Sequence, residues 1–179
     1  MNLPNKLTIL RIIMTPFFIA AFYLPMRYAN LVAAAIFIAA YITDILDGDY
    51  ARRHNLVTTF GKLMDPIADK MITSSALIML VSQGSLSPVI AIVMILREFI
   101  ISGFRLVSAS SGVVIAANSL GKLKTVTQCI AIILVLVHDP IIIWLGFALD
   151  TVFVWLALAF TVWSGADYIL RNRKAIEFK

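Results

Sequence analysis

Between Asp44 and Asp69 the chain gathers acidic residues at helical spacing. Asp44 and Asp47 stand three residues apart, Asp65 and Asp69 four apart. On helices each pair shares one face, and a helical hairpin would bring the two pairs together. Gly48 and Ala51 continue the first face with almost no side chain, Arg52 closes it, and Gly61 opens the second at the same spacing. Carboxylates at membrane depth are costly unless they are paired or bind a cation. Four converging acids repel one another, and divalent metal, two ions of it, is the simplest way to let them coexist on hard oxygen ligands. Metal ions flanked by small residues suit a phosphate-bearing substrate. Gly48 and Ala51 would let it approach the backbone, and Arg52 would bind a phosphate oxygen. Asp49 points about 140° from Asp44 and about 200° from Asp47 on a helix, so it is expected to face away from the metal.

The elements that must hold these residues are apolar. Of 179 residues 61% are hydrophobic, and only 14% are charged. Mean hydropathy is +0.94. A soluble domain carries roughly 45–50% apolar residues, so an all-α, polytopic membrane protein of one domain, residues 1–179, is expected. Six apolar segments run over roughly 8–26, 30–48, 66–82, 88–107, 123–138 and 145–168, lengths that fit spanning helices. The breaks between them hold Pro25 and Arg27, Arg52 to Asn55, Gln83 to Ser85, Ser108 to Gly121, and His138 to Pro140. No internal repeat is visible, which argues against a repeat-built transporter. With the N-terminus in the cytoplasm, only Arg27 of the 15 Lys and Arg residues falls on the far side. Both termini and the aspartate cluster are therefore expected on the cytoplasmic side. The net charge of +5 then reads as loops facing an anionic leaflet, with no aromatic–basic interleaving of the nucleic-acid kind.

Other residues carry weaker signals. Arg97 and Arg105 share a face of the fourth segment, and Lys122 and Lys124 follow Gly121 at the start of the fifth. One such arginine would be explained by snorkelling or by pairing with Glu98. Two on one face with two lysines nearby look like a phosphate pocket. Asn5 and Thr8 precede the first span and read equally as helix-start chemistry. Thr58 reads as a polar loop residue. Cys129 lies alone in an apolar run and is expected to be a small buried core residue. His54 and His138 lack ligand-spaced partners; His138 is expected to be merely solvated. Trp144, Trp155 and Trp163 read as interface anchors.

The pattern D-x2-D-G-x2-A-R-x8-G-x3-D-x3-D fills every fixed position of a known signature, eight residues over 26 positions. It resembles the CDP-alcohol phosphatidyltransferase family, and the resemblance covers nearly the whole chain. It implies a six-helix catalytic unit in a homodimer, two Mg2+ or Mn2+ ions on Asp44, Asp47, Asp65 and Asp69, and Asp69 as the catalytic base. It also implies that CDP-diacylglycerol is bound by Gly48, Ala51, Arg52, Thr58, Gly61, Asn5 and Thr8. The segments Leu3–Lys6, Phe60–Lys70, Leu96–Ile100, Gly103–Leu106 and Gly121–Thr125 resemble members that use sn-glycerol 3-phosphate as acceptor. Arg97, Arg105, Lys122 and Lys124 would then hold its phosphate, and the products would be phosphatidylglycerol phosphate and CMP. The implied setting is the inner or plasma membrane of a bacterium, among membrane lipids. A cardiolipin or phosphatidylinositol synthase shares the same aspartates. A membrane prenyltransferase would need two separate Asp-rich motifs, and a cation carrier leaves Gly48, Ala51 and Arg52 without a role.

Overall fold

A computed structural model of the chain describes residues 3–25, 28–53, 59–110, 119–138 and 148–172. Its described residues form six helices and no strand. These are α1 (Leu3–Ala21), α2 (Ala29–Arg53), α3 (Thr59–Ser82), α4 (Pro88–Ser110), α5 (Ser119–Leu136) and α6 (Leu149–Asn172). They fall into two compact units, Met1–Gln83 and Gly84–Lys179.

In the first unit α1 packs against both α2 and α3. Its inward face carries Asn5, Thr8, Arg11, Thr15 and Phe18, all buried and spaced three or four residues apart. Phe18 meets Phe37 of α2 at 6.0 Å between ring centroids. Ala33, Ala34 and Ala40 of α2 and Ala68 and Ala76 of α3 are buried as well, and such small residues let helices approach closely. α3 ends at Ser82, and Gly84 follows with φ of 73°. That left-handed conformation closes helices readily when the residue is glycine.

In the second unit α6 packs against α5 and α4. α4 starts with Pro88 in its first turn, where a missing N–H is harmless, and the Ala91 N–H donates to the Ser87 carbonyl at 3.1 Å. The inward stripe of α6 is Val154, Ala157, Thr161, Ser164, Gly165 and Tyr168.

Large apolar side chains lie on the outside of the helices and a few polar ones lie inside an otherwise apolar core. Phe17, Val89, Leu106, Trp155 and Trp163 are well exposed, while Thr8, Arg11, Lys124 and Ser164 are buried. Large apolar side chains left exposed on helices suit an apolar solvent such as lipid. α5 and α6 are each long and apolar enough to cross a bilayer. The apolar part of α2, Ala29–Ile45, is shorter and stops where the aspartate motif is under way. α1, α3 and α4 mix apolar length with charge: Lys6 and Arg11 in α1, Lys62, Asp65, Asp69 and Lys70 in α3, and Arg97, Glu98 and Arg105 in α4.

The helices do not coincide with the apolar runs. α2 continues to Arg53 and α3 begins at Thr59, so both halves of the aspartate motif are helical. α1 ends at Ala21, short of residue 26, where Phe22, Tyr23 and Leu24 each donate to the carbonyl three residues back.

Candidate active site

The aspartates lie on continuous helices: Asp44 and Asp47 on α2, Asp65 and Asp69 on α3. Within each helix the three- and four-residue spacings therefore place each pair on one face. Side chains are described for Asp44 and Asp69. Those of Asp47, Gly48, Asp49, Ala51, Arg52, Gly61 and Asp65, and all of Thr58 and His54, lie outside the described residues.

Asp44 is met by Arg11. Arg11 Nη1 lies 2.7 Å from Asp44 Oδ1, with the Arg11 side chain 1% exposed and that of Asp44 35% exposed. Arg11, expected only as a topology-setting cation, is thus buried against the first carboxylate of the motif. The signal was the stripe Asn5, Thr8, Arg11, Thr15, which is too polar and too regular for a lipid-facing helix start. Asn5 and Thr8 are buried on that same stripe. Asp69 is half-buried, and its backbone carbonyl accepts from the Thr73 hydroxyl. The Lys70 ammonium donates to the Pro66 carbonyl at 3.2 Å.

Carboxylates are donors that suit a hard divalent cation, and one of them, Asp44, pairs with the Arg11 guanidinium. Among the described side chains no group of three or more metal-binding residues gathers, two of the four expected ligands lying outside them.

The second unit holds the basic cluster. Arg97 Nη2 donates to Ser164 Oγ of α6 at 2.9 Å, and Nη1 lies 3.5 Å from Glu98 Oε1. Glu98 Oε1 also pairs with the ammonium of Lys124, whose side chain is 2% exposed. Arg105 Nε donates to the Tyr168 hydroxyl at 3.2 Å, and its guanidinium carbon sits 5.3 Å from the centre of that ring. Phe104 packs edge-on against Tyr168. Lys122 is exposed. The four cations singled out from the sequence therefore belong to one compact unit. Three of them are held by partners that the sequence reading missed or set aside: Glu98, Ser164 and Tyr168. Behind the cluster along the helices, Gln128 Oε1 and Thr161 Oγ1 are buried with no hydrogen-bond partner, as is Arg97 Nε.

Two smaller expectations are settled here. Cys129 is buried, as expected of a small core residue. His138 is not merely solvated: its Nδ1 lies 2.7 Å from Asp150 Oδ2. It stands at the end of α5, Asp150 stands in the first turn of α6, and the packing of those two helices joins them.

The sequence model of the CDP-alcohol phosphatidyltransferase family matches residues 1–163, and the chain belongs to that family. Over 98% of its length it is 43% identical to the CDP-diacylglycerol–glycerol-3-phosphate 3-phosphatidyltransferase of Bacillus subtilis, covering 97% of that protein. Proteins of the same name from Sodalis glossinidius and Salmonella typhimurium are 39% and 38% identical, over 97% and 96% of this chain and 96% and 95% of theirs.

Proposed function

We propose that this chain transfers the phosphatidyl group of CDP-diacylglycerol to sn-glycerol 3-phosphate, giving phosphatidylglycerol phosphate and CMP. The observation that carries this reading is the basic cluster of α4, α5 and α6. A family enzyme whose acceptor is itself a phosphate needs cations apart from its acidic metal site, and the relatives' names specify glycerol 3-phosphate. The aspartate motif then serves donor and metal, and the basic cluster serves the acceptor's phosphate. The family match runs through both units, which supports one catalytic domain.

In this reading Asp44, Asp47, Asp65 and Asp69 hold two ions of Mg2+ or Mn2+, which when bound neutralise charge developing on the donor diphosphate. Arg11 holds Asp44 in its ligating direction. Gly48, Ala51 and Gly61 leave room for the diphosphate, and Arg52 binds one of its oxygens. Asn5 and Thr8, on the buried stripe of α1, and Thr58 contact the nucleotide end. The acceptor hydroxyl attacks the phosphorus that bears the diacylglycerol. The bond from that phosphorus to the oxygen of CMP breaks, and the hydroxyl proton passes to the Asp69 carboxylate. A carboxylate is a weak base, sufficient where the proton moves late, as phosphoryl transfer allows. Arg105 and Lys122 present their charges to the acceptor's phosphate with Arg97 beside them, while Lys124 lies buried behind the cluster against Glu98.

All six helices cross the bilayer in this reading, with both termini and the aspartates on the cytoplasmic side of a bacterial inner or plasma membrane and the protein a homodimer among membrane lipids. The charge asymmetry of the loops supports the orientation. The test is CMP release from CDP-diacylglycerol with glycerol 3-phosphate, inositol, inositol phosphate, serine and phosphatidylglycerol compared as acceptors. Glycerol 3-phosphate should be preferred; preference for an uncharged alcohol would overturn the assignment.

A further inference from the structure

We propose that Glu98 is a positioning residue for the acceptor: it shapes the basic cluster into a phosphate pocket without touching the phosphate. The inference rests on the reading above that this cluster takes the acceptor's phosphate.

An acid inside an anion pocket is at first sight counterproductive, since it cancels one of the cations. The structure gives it another use. Glu98 Oε1 is shared between the Lys124 ammonium of α5 and Arg97 Nη1 of α4. Lys124 is 2% exposed, so a dianion would have to open the helix packing to reach it. Its role is to fix the Glu98 carboxylate. Glu98 in turn holds one arm of the Arg97 fork while Ser164 of α6 accepts from the other at 2.9 Å. A planar guanidinium held at two nitrogens has little freedom left to rotate. Gly165 completes the arrangement: a Cβ there would lie 3.2 Å from Arg97 Cγ, tighter than ordinary contact, so the bare backbone leaves the arginine stem its course. Arg97 and Arg105 both stand on α4, eight residues apart. Arg105 is held from its own side by Tyr168. Guanidiniums each fixed by their own partners are prepared for an anion, and preorganisation of this kind raises affinity by removing the ordering cost at binding.

The test uses the full-length protein in detergent with metal present. Glu98→Gln keeps the size of the side chain and removes its charge. The KM for glycerol 3-phosphate should rise roughly ten- to a hundredfold, the scale of a lost charge-assisted hydrogen bond. The KM for CDP-diacylglycerol should stay within twofold, and calorimetric binding of glycerol 3-phosphate should weaken in parallel with its KM. Glu98→Asp, which keeps the charge, should recover part of the loss. Gly165→Ala, which crowds Arg97 from the other side, should raise the same KM and serves if Glu98→Gln yields no folded protein. Asp167→Asn removes an acid paired with Arg171 and should change neither KM. An unchanged or lowered acceptor KM in Glu98→Gln and Gly165→Ala would overturn the inference, the lowered value marking Glu98 as a competing anion. A loss shared equally by donor and acceptor would overturn it as well, because Glu98 would then be structural. If the unaltered enzyme ignores glycerol 3-phosphate, the functional reading itself fails, an outcome distinct from these.

Discussion

Replacing Arg11 with methionine tests whether the metal site depends on a residue outside the aspartate motif. Arg11→Met keeps an unbranched apolar stem in the space between α1 and α2 and deletes the guanidinium 2.7 Å from Asp44. Breaking a fully buried ion pair by removing one partner costs about 3–5 kcal/mol. Arg11 meets that condition, but Asp44 is 35% exposed and regains hydration when its partner leaves. The contact is an ion pair without hydrogen-bond geometry at Nη1, so the effect should fall to roughly half that range, about 1.5–2.5 kcal/mol. At about 1.4 kcal/mol per decade, that is a ten- to hundredfold loss. Because Asp44 is a proposed metal ligand, the loss should appear as a lower kcat/KM for CDP-diacylglycerol, read by CMP release at saturating metal and acceptor. Arg11→Lys restores a charge without the planar fork and should lie between the two. Thermal unfolding of the same preparations separates misdirection of Asp44 from general destabilisation. Arg11→Met with unaltered kcat/KM would refute the argument, and so would a loss accounted for entirely by a smaller folded fraction.

Chelation should abolish turnover, and Asp44→Asn, Asp47→Asn, Asp65→Asn and Asp69→Asn should each remove most of it, while Asp49→Asn should be mild; equal damage from Asp49→Asn and Asp47→Asn would sink the helical-face argument. Arg105→Ala and Lys122→Ala should raise the KM for glycerol 3-phosphate roughly ten- to a hundredfold with donor KM nearly unchanged, whereas Arg52→Ala should weaken use of CDP-diacylglycerol. For topology, Tyr28→Cys and Ser85→Cys should react with an impermeant thiol reagent added to sealed cells, and Asn55→Cys, Gly112→Cys and Ala175→Cys should not; Cys129, being buried, gives little background. Labelling of Asn55→Cys would place the aspartates on the wrong side.

The helices were legible because six apolar runs leave little else for a membrane chain to do. Their ends were less so, and the reason is physical. Hydropathy reports where a segment meets lipid, whereas a helix continues for as long as its backbone bonds are made. That is why α2 runs to Arg53 and α3 starts at Thr59, beyond the apolar stretches. The aspartate motif was legible because its chemistry sits in spacing along single helices, which a sequence displays directly. What stayed hidden depends on pairing between helices. A lone arginine near the start of a first span satisfies the charge rule for topology as well as it satisfies a carboxylate on α2, and only the packing of α1 on α2 decides between them. His138 and Asp150 were hidden for the same reason, being joined by the packing of α5 and α6.

Glu98 carries that reasoning furthest. Beside Arg97 in sequence, it invites reading as that arginine's partner, yet adjacent residues on a helix diverge by about 100° and face each other poorly. The 3.5 Å contact between them is correspondingly the longer of its two, and its closer partner is Lys124 on another helix. In water a misassigned surface charge matters little, because solvent satisfies it whatever its neighbour. Where a charge is buried among apolar helices, it must find a protein partner. Its role is set by that partner: Arg11 by Asp44, Lys124 by Glu98, Arg97 by Ser164 and Glu98 together. The count of such charges can be read from the sequence. Their division into groups that meet substrate and groups that hold other groups in place follows from which helix each one faces.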